Sequence, residues 1–291
     1  MNCGAWPRQV TSTEQQFNDT GEEFMKIKRI TDPYPHAIIT EVIPPDVYAQ
    51  LKFPELEKRK YTRAGWDLFK GEKRYDEFFA RDPIWQRVKD ILDSKGFIFS
   101  ICRTFKNELK LQGIDVDKLE LIDFVETPAQ LQMGHIAFNK FDHKIFTRFD
   151  LQASNGTTLR NPHVDHARRL FGGVLFLCDG EEEGMVGGDF GVWRDRQYRG
   201  DRIPHDCELV TTYPIRHNTF YIFLNRNDSF HGPTPVTQIS GMRRWVYFSI
   251  SARQNVWKPE PGSISLRQKT KGLVLDGIRF CQYHVSNLKA S

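Results

Sequence analysis

A length of 291 residues with 39% apolar side chains suffices for a full buried core without disulfide or metal staples. The net charge of +4 comes with no long basic run, which argues against a nucleic-acid partner, and no stretch approaches the roughly 18 continuous apolar residues of a membrane span. Cys3, Cys102, Cys178, Cys207 and Cys281 are scattered without paired spacing, the pattern of reduced thiols in a cytoplasmic protein.

Met1 to Thr20 is polar, with no apolar h-region of a secretory signal, and residues 1–24 are expected to be a flexible lead-in. Ala37–Ile43 has the pattern of a short strand. Pro44-Pro45-Asp46 then opens a helix expected over Val47–Phe53, because Pro is tolerated in a first turn. Asp82-Pro83 starts another, in which Ile84, Trp85, Val88, Ile91 and Leu92 recur at helical spacing, and a further amphipathic run covers Phe97–Leu109. The front of the chain, about 44–110, is therefore mainly helical.

Beyond about residue 145 the period changes to two. Strands are expected at Phe146–Ala153, Gly173–Cys178, Asp189–Trp193, Glu208–Thr212, Thr219–Leu224 and Arg243–Ser251, separated by turn formers such as Ser154-Asn155-Gly156 and Gly187-Gly188. Helices first and strands later predict a mainly β, α+β chain built as a sandwich or barrel over about 145–252. Residues 258–291 read as a C-terminal extension.

Asn161-Pro162-His163-Val164-Asp165-His166 carries the most specific chemistry. In an extended segment His163 and Asp165 point the same way, whereas His166 has the opposite parity. With His231 from near the start of a later strand they make two imidazoles and one carboxylate, the facial set of a non-haem iron(II) centre with open positions. A zinc hydrolase uses the same donors, so the triad's surroundings must discriminate. Twelve residues after His231 stands Arg243, with Arg244 beside it. An oxo-acid co-substrate needs such a cation for its distal carboxylate, and guanidinium offers planar bidentate donors. Arg243, Trp245, Tyr247 and Ser249 form a polar-aromatic face and Arg244, Val246, Phe248 and Ile250 a mostly apolar one. Arg243 is therefore preferred to Arg244.

These pieces, in order, resemble the prolyl-hydroxylase-like branch of the iron(II)/2-oxoglutarate oxygenases. They are Gly156-Thr157-Thr158-Leu159, Pro162-His163-Val164-Asp165, Gly173-Val174-Leu175-Phe176-Leu177 and Gly187-Gly188-Asp189-Phe190. Asn218 to Phe223, Ser229-Phe230-His231-Gly232 and Gly241-Met242-Arg243 follow, and Pro33 to Ile39 looks like the opening segment of bacterial members. The resemblance implies a double-stranded β-helix (jelly roll) braced by helices, as a single oxygenase domain over 25–257. It implies Fe(II) held by His163, Asp165 and His231, with 2-oxoglutarate and O2 consumed to hydroxylate an unactivated carbon, leaving succinate and carbon dioxide. Arg243 would pair with the distal carboxylate of the oxo-acid. Family members often place a hydroxyl two residues beyond that arginine. Trp245 stands there instead, so Tyr247 and Ser249 are the candidates to complete the pocket. The prime substrate, whether small molecule, glycan or peptide, is not readable. The alternative is a non-catalytic, cupin-like jelly-roll module binding a sugar or other small molecule.

Other groups carry weaker signals. Arg168 and Arg169 could reach an anionic substrate but read first as solvated loop charges. Glu181 to Met185 reads as a charged hairpin tip. Trp193 and Arg194 open a charged aromatic stretch, to Arg199, that could overhang a site mouth and touch substrate. His135 and His143 read as surface or substrate-loop histidines.

Overall fold

A computed structural model describes residues 13–17, 23–59, 65–126, 140–156, 161–196 and 206–257. His135, Gln197 to Arg199, residues 157–160 and the C-terminal extension lie outside them. Twelve strands make the described residues mostly β. Eight form the main path of a nine-stranded sheet in the order β1 (Thr13–Phe17), β2 (Glu23–Ile30), β3 (His36–Thr40), β10 (Thr219–Leu224), β7 (Arg169–Phe176), β12 (Arg243–Ala252), β6 (Lys144–Ser154) and β4 (Trp66–Leu68), while β5 (Glu120–Leu121) pairs alongside β6. A smaller sheet has the order β11 (His231–Pro233), β8 (Phe190–Asp195) and β9 (Cys207–Tyr213). No helix among the described residues is long and apolar enough to cross a membrane.

The two faces of the large sheet bury two different cores. Phe220, Ile222 and Leu224 of β10, with Val246, Phe248 and Ile250 of β12, pack toward the helices, whereas Tyr221, Phe223 and Trp245 face the small sheet with its Phe190 and Val192. This explains why β10 is apolar from Phe220 to Leu224 without alternation: a strand covered on both sides has no solvent face to alternate with. The helices are α1 (Pro45–Tyr48), α2 (Lys73–Arg81), α3 (Pro83–Leu92), α4 (Lys95–Thr104) and α5 (Lys106–Leu111). Phe79 of α2 meets Phe149 of β6 and Phe97 of α4 meets Phe220 and Phe248, at ring-centroid distances of 5.3, 6.2 and 5.8 Å.

Local chemistry fixes these helices. Asp82 caps α3 by accepting from the Ile84 and Trp85 amides, both at 3.0 Å, ahead of Pro83 at the first helical position. Ser94 caps α4 through the Phe97 amide at 3.1 Å. The expected Phe97–Leu109 helix is broken at Phe105, which leaves helical geometry after Thr104 turns its hydroxyl back onto the Ser100 carbonyl. The expected Val47–Phe53 helix stops after Tyr48. Lys52 gives its carbonyl to the Trp85 indole at 2.8 Å, and Phe53 precedes a proline that disfavours helix. Helix α2 escaped the periodicity because Lys73–Arg81 is mostly charged and buries only Tyr75 and Phe79. Strand β1, paired antiparallel with β2, also lies in the stretch expected to be a lead-in.

Candidate metal centre

His163 and His231 are cross-strand partners. Each backbone amide donates to the other's carbonyl at 3.0 Å, which places both side chains on one side with ring centroids 4.5 Å apart. The segment carrying His163 thus lies along the free edge of β11 as a fourth, irregular strand of the small sheet. Asp165, two residues on, turns the same way, and one ligand atom from each of His163, Asp165 and His231 lies within 4.8 Å of the others. All three residues are buried.

Both imidazoles are held in one tautomer. His163 Nδ1 lies 2.8 Å from the Asn161 carbonyl and His231 Nδ1 lies 3.0 Å from the Ser229 carbonyl. A carbonyl oxygen only accepts, so each Nδ1 must carry the proton and each Nε2 lone pair remains for a ligand bond. Phe223 packs on the His231 ring at 3.9 Å between centroids and fixes its plane. Asp165 Oδ1 stands 3.7 Å from His163 Nε2, and the Tyr247 hydroxyl donates to Oδ2 at 3.4 Å. Gly172 on β7 makes room for this carboxylate: a Cβ there would come within 2.8 Å of Asp165 Oδ2 and 2.7 Å of Phe223.

On β12 the alternation separates the two arginines. Trp245 belongs to the core between the sheets and Val246 to the core under the helices. Arg243 lies on the inner side, its guanidinium 4.9 Å from the Phe176 ring and 4.7 Å from the Trp245 ring. Its Nε is buried without a hydrogen-bond partner, and no carboxylate among the described residues pairs with it. Burial pushes this guanidinium down to about 10, against weaker opposing pulls from Cys178 and Asp189. Arg244 is turned away and ion-paired with Glu183.

Tyr247 and Ser249, expected to complete an oxo-acid pocket, both have partners within the protein. Tyr247 reaches Asp165. Ser249, with Ser251, accepts from Arg169 at 2.7 Å each. Trp245, in the position where a hydroxyl was expected, donates its indole N–H to Gln152 at 2.9 Å. Arg168 and Arg169 are not solvated: both are buried and both pair with the buried Glu126, at 3.0 and 3.3 Å. The reason is register. Strand β7 begins at Arg169, four residues before the expected Gly173, and the Ala252 amide donates to the Arg168 carbonyl, drawing both arginines under the end of β12. Burial lowers the Arg168 guanidinium, while Glu126 opposes that. Trp193 lies against Gly191 and donates to the Gly232 carbonyl at 3.2 Å, one residue from His231. Arg194 pairs with Asp32 in an exposed contact, and His143 lies tilted against Phe141 and joins no ligating cluster among the described residues. Sequence reasoning missed Glu126, which stands in no motif, and the Phe223 platform, hidden in an apolar run without alternation.

The Tyr247 contact gives the first prediction. Tyr247→Phe is expected to raise the Kd for Mn(II) by about tenfold, as loss of a group orienting a ligand does, with no separate change in oxo-acid affinity. Metal titration followed by oxo-acid titration of the saturated protein checks this. An unchanged metal Kd with a weakened oxo-acid Kd would return Tyr247 to the oxo-acid pocket.

No family model and no curated protein matches the chain. Solved structures do match. A prolyl 4-hydroxylase from Phytophthora capsici shares 13% identity over 74% of this chain, with a TM-score of 0.36, and the chain spans 57% of its length. A Pseudomonas putida prolyl-4-hydroxylase shares 13% identity over 74% of this chain and 91% of its own, with a TM-score of 0.36. HygX from Streptomyces hygroscopicus, with nickel and 2-oxoglutarate bound, shares 9% identity over 74% of this chain and 82% of its own, with a TM-score of 0.37. The chain is thus similar to prolyl 4-hydroxylases and to proteins of the 2-oxoglutarate–iron(II) oxygenase family.

Proposed function

We propose that the chain is an Fe(II)- and 2-oxoglutarate-dependent oxygenase that hydroxylates a carbon of its substrate, built as a jelly roll over about 145–252 within one domain. The observation that carries this is the pair of carbonyl-locked imidazoles whose ligand atoms converge with that of Asp165. Two nitrogens and one carboxylate oxygen, buried and preset in the ligating tautomer, fit an iron(II) ion and leave coordination positions for co-substrates. The second support is Arg243, a half-buried cation whose buried Nε has no partner and which pairs with no anion among the described residues. A zinc hydrolase has no use for such a group, whereas a dicarboxylate held at one end by the metal needs a counter-charge for the other.

The bound metal would supply oxygen activation. The chain's own residues orient and shield. Asn161 and Ser229 hold the His163 and His231 rings through their carbonyls, Phe223 sets the plane of His231, and Tyr247 steadies the outer carboxylate oxygen of Asp165. Arg243 would pair with the distal carboxylate of the oxo-acid, with Phe176 and Trp245 excluding water around the pair and so strengthening it. Candidate peptides, glycans and amino acids incubated with protein, Fe(II), oxoglutarate and O2 should include one recovered as a product heavier by one oxygen atom. If substrates are instead cleaved with no oxo-acid consumed, the proposal is wrong.

A further inference from the structure

Arg243 makes no hydrogen bond or ion pair among the described residues; the Phe176 and Trp245 rings lie against its guanidinium. A guanidinium held this way inherits its position from its backbone, so whatever fixes the start of β12 fixes the cation. Glu183, in the acidic stretch Glu181 to Met185, does this. Its backbone carbonyl accepts from the Ser240 and Gly241 amides at 3.1 and 3.0 Å. Its carboxylate accepts from the Met242 amide at 2.7 Å and pairs with the Arg244 guanidinium. Four groups on either side of Arg243, from Ser240, Gly241, Met242 and Arg244, thus end on one residue. Gly241 leaves room for this arrangement, because a side chain there would push the Glu183 carboxylate out of its place.

The turn bearing Glu183 is anchored in its own right. Arg216 pairs with Asp179 and Glu181 at 2.8 Å each, and the Gly180 amide donates to the Ile215 carbonyl at 3.1 Å. Glu183 therefore sits on a braced support rather than on a solvated hairpin tip. From the other side Cys178 accepts from the Arg244 amide at 3.2 Å, and the Leu177 amide donates to the Arg244 carbonyl at 3.0 Å.

We infer that Glu183 is a positioning residue for oxo-acid binding: it clamps residues 240–244 so that Arg243 meets the distal carboxylate. This rests on the assignment of Arg243 made above. A displaced cation loses an aligned pair without touching the metal, so the effect belongs to oxo-acid affinity alone.

The test is 2-oxoglutarate titration, by anaerobic calorimetry, of the full chain saturated with Mn(II) as a redox-silent probe, with the Mn(II) Kd measured beside it. Glu183→Ala is expected to raise the oxoglutarate Kd about tenfold, within the coupling range for residues of one network. Glu183→Gln keeps an acceptor for the Met242 amide but loses the ion pair, so its effect should be smaller. The double variant Glu183→Ala/Arg243→Ala should bind no worse than Arg243→Ala alone, and the Mn(II) Kd should stay unchanged throughout. An unchanged oxoglutarate Kd in Glu183→Ala, with a large rise in Arg243→Ala, overturns the inference and leaves the Arg243 assignment standing. No rise in Arg243→Ala overturns that assignment itself. If Glu183→Ala does not fold, Glu183→Gln and Arg244→Met decide: a several-fold rise supports the clamp, and wild-type affinity in both overturns it. Loss of Mn(II) affinity alongside would show a general structural lesion and also overturn it.

Discussion

His231→Ala and His163→Ala are each expected to bind no Fe(II) at micromolar metal and to form no succinate from oxoglutarate. The protein offers three donors, and removing one leaves two, too few to hold a ferrous ion against water. Neither alanine restores a donor, because the ligand atoms converge from separate segments and His166 has the wrong parity to substitute. The fold should survive. Each histidine gives its carbonyl partner, Asn161 or Ser229, one hydrogen bond, and leaving a buried acceptor unpaired costs about 1–3 kcal/mol, a tolerable loss for a chain with two large aromatic cores. Metal content, circular dichroism and succinate assay on the same preparation check this. A folded alanine variant that still makes succinate at the wild-type rate would show that the ligands are misassigned.

Arg243→Ala should produce the largest change that leaves the metal in place. Removing one partner of a desolvated charge pair costs on the order of 2–5 kcal/mol, which is roughly a thirty-fold to several-thousand-fold rise in the oxoglutarate Kd. Arg244→Ala acts only through Glu183 and should do far less. The reverse order would mean that the strand faces are exchanged. The ligand-free protein offers a check of opposite sign. A base whose folded pKa is depressed, as burial depresses Arg243 to about 10, opposes folding wherever the unfolded chain holds that proton. Arg243→Met should therefore raise Tm without oxo-acid while abolishing the Tm gain that oxo-acid gives the wild type, as scanning calorimetry would show.

Much of the site was legible because alternation is a strong rule. The spacing of His163 and Asp165 implied one shared direction, and the structure brings both to His231. The two faces of Arg243–Ser249 separated into an inner and a covered side as their composition suggested. What alternation does not carry is where a strand begins and what lies across from it. Strand β7 starts at Arg169 rather than Gly173, so Arg168 and Arg169 are buried against Glu126; two adjacent arginines after a turn look like solvent charges unless a distant carboxylate is known to meet them. Tyr247 and Ser249 lie on the face expected, yet their hydroxyls engage Asp165 and Arg169, whose positions depend on that same register. Glu183 was invisible for a similar reason: its partners lie some sixty residues away, across a turn that brings 183 beside 242. In the helical front, side chains bonding to the Lys52 and Ser100 carbonyls accompany the breaks in segments where apolar periodicity alone ran on.

The most direct measurement is succinate formation from 2-oxoglutarate by the full chain, in air with Fe(II), compared with the same reaction without oxygen, with Zn(II) in place of Fe(II), and with Asp165→Asn. The account predicts turnover in the first condition only, and a strong fall in the folded Asp165→Asn variant, which keeps the volume of the ligand but loses its negative charge. Oxo-acid left intact in air with Fe(II), together with an anaerobic hydrolysis supported by Zn(II), would contradict it.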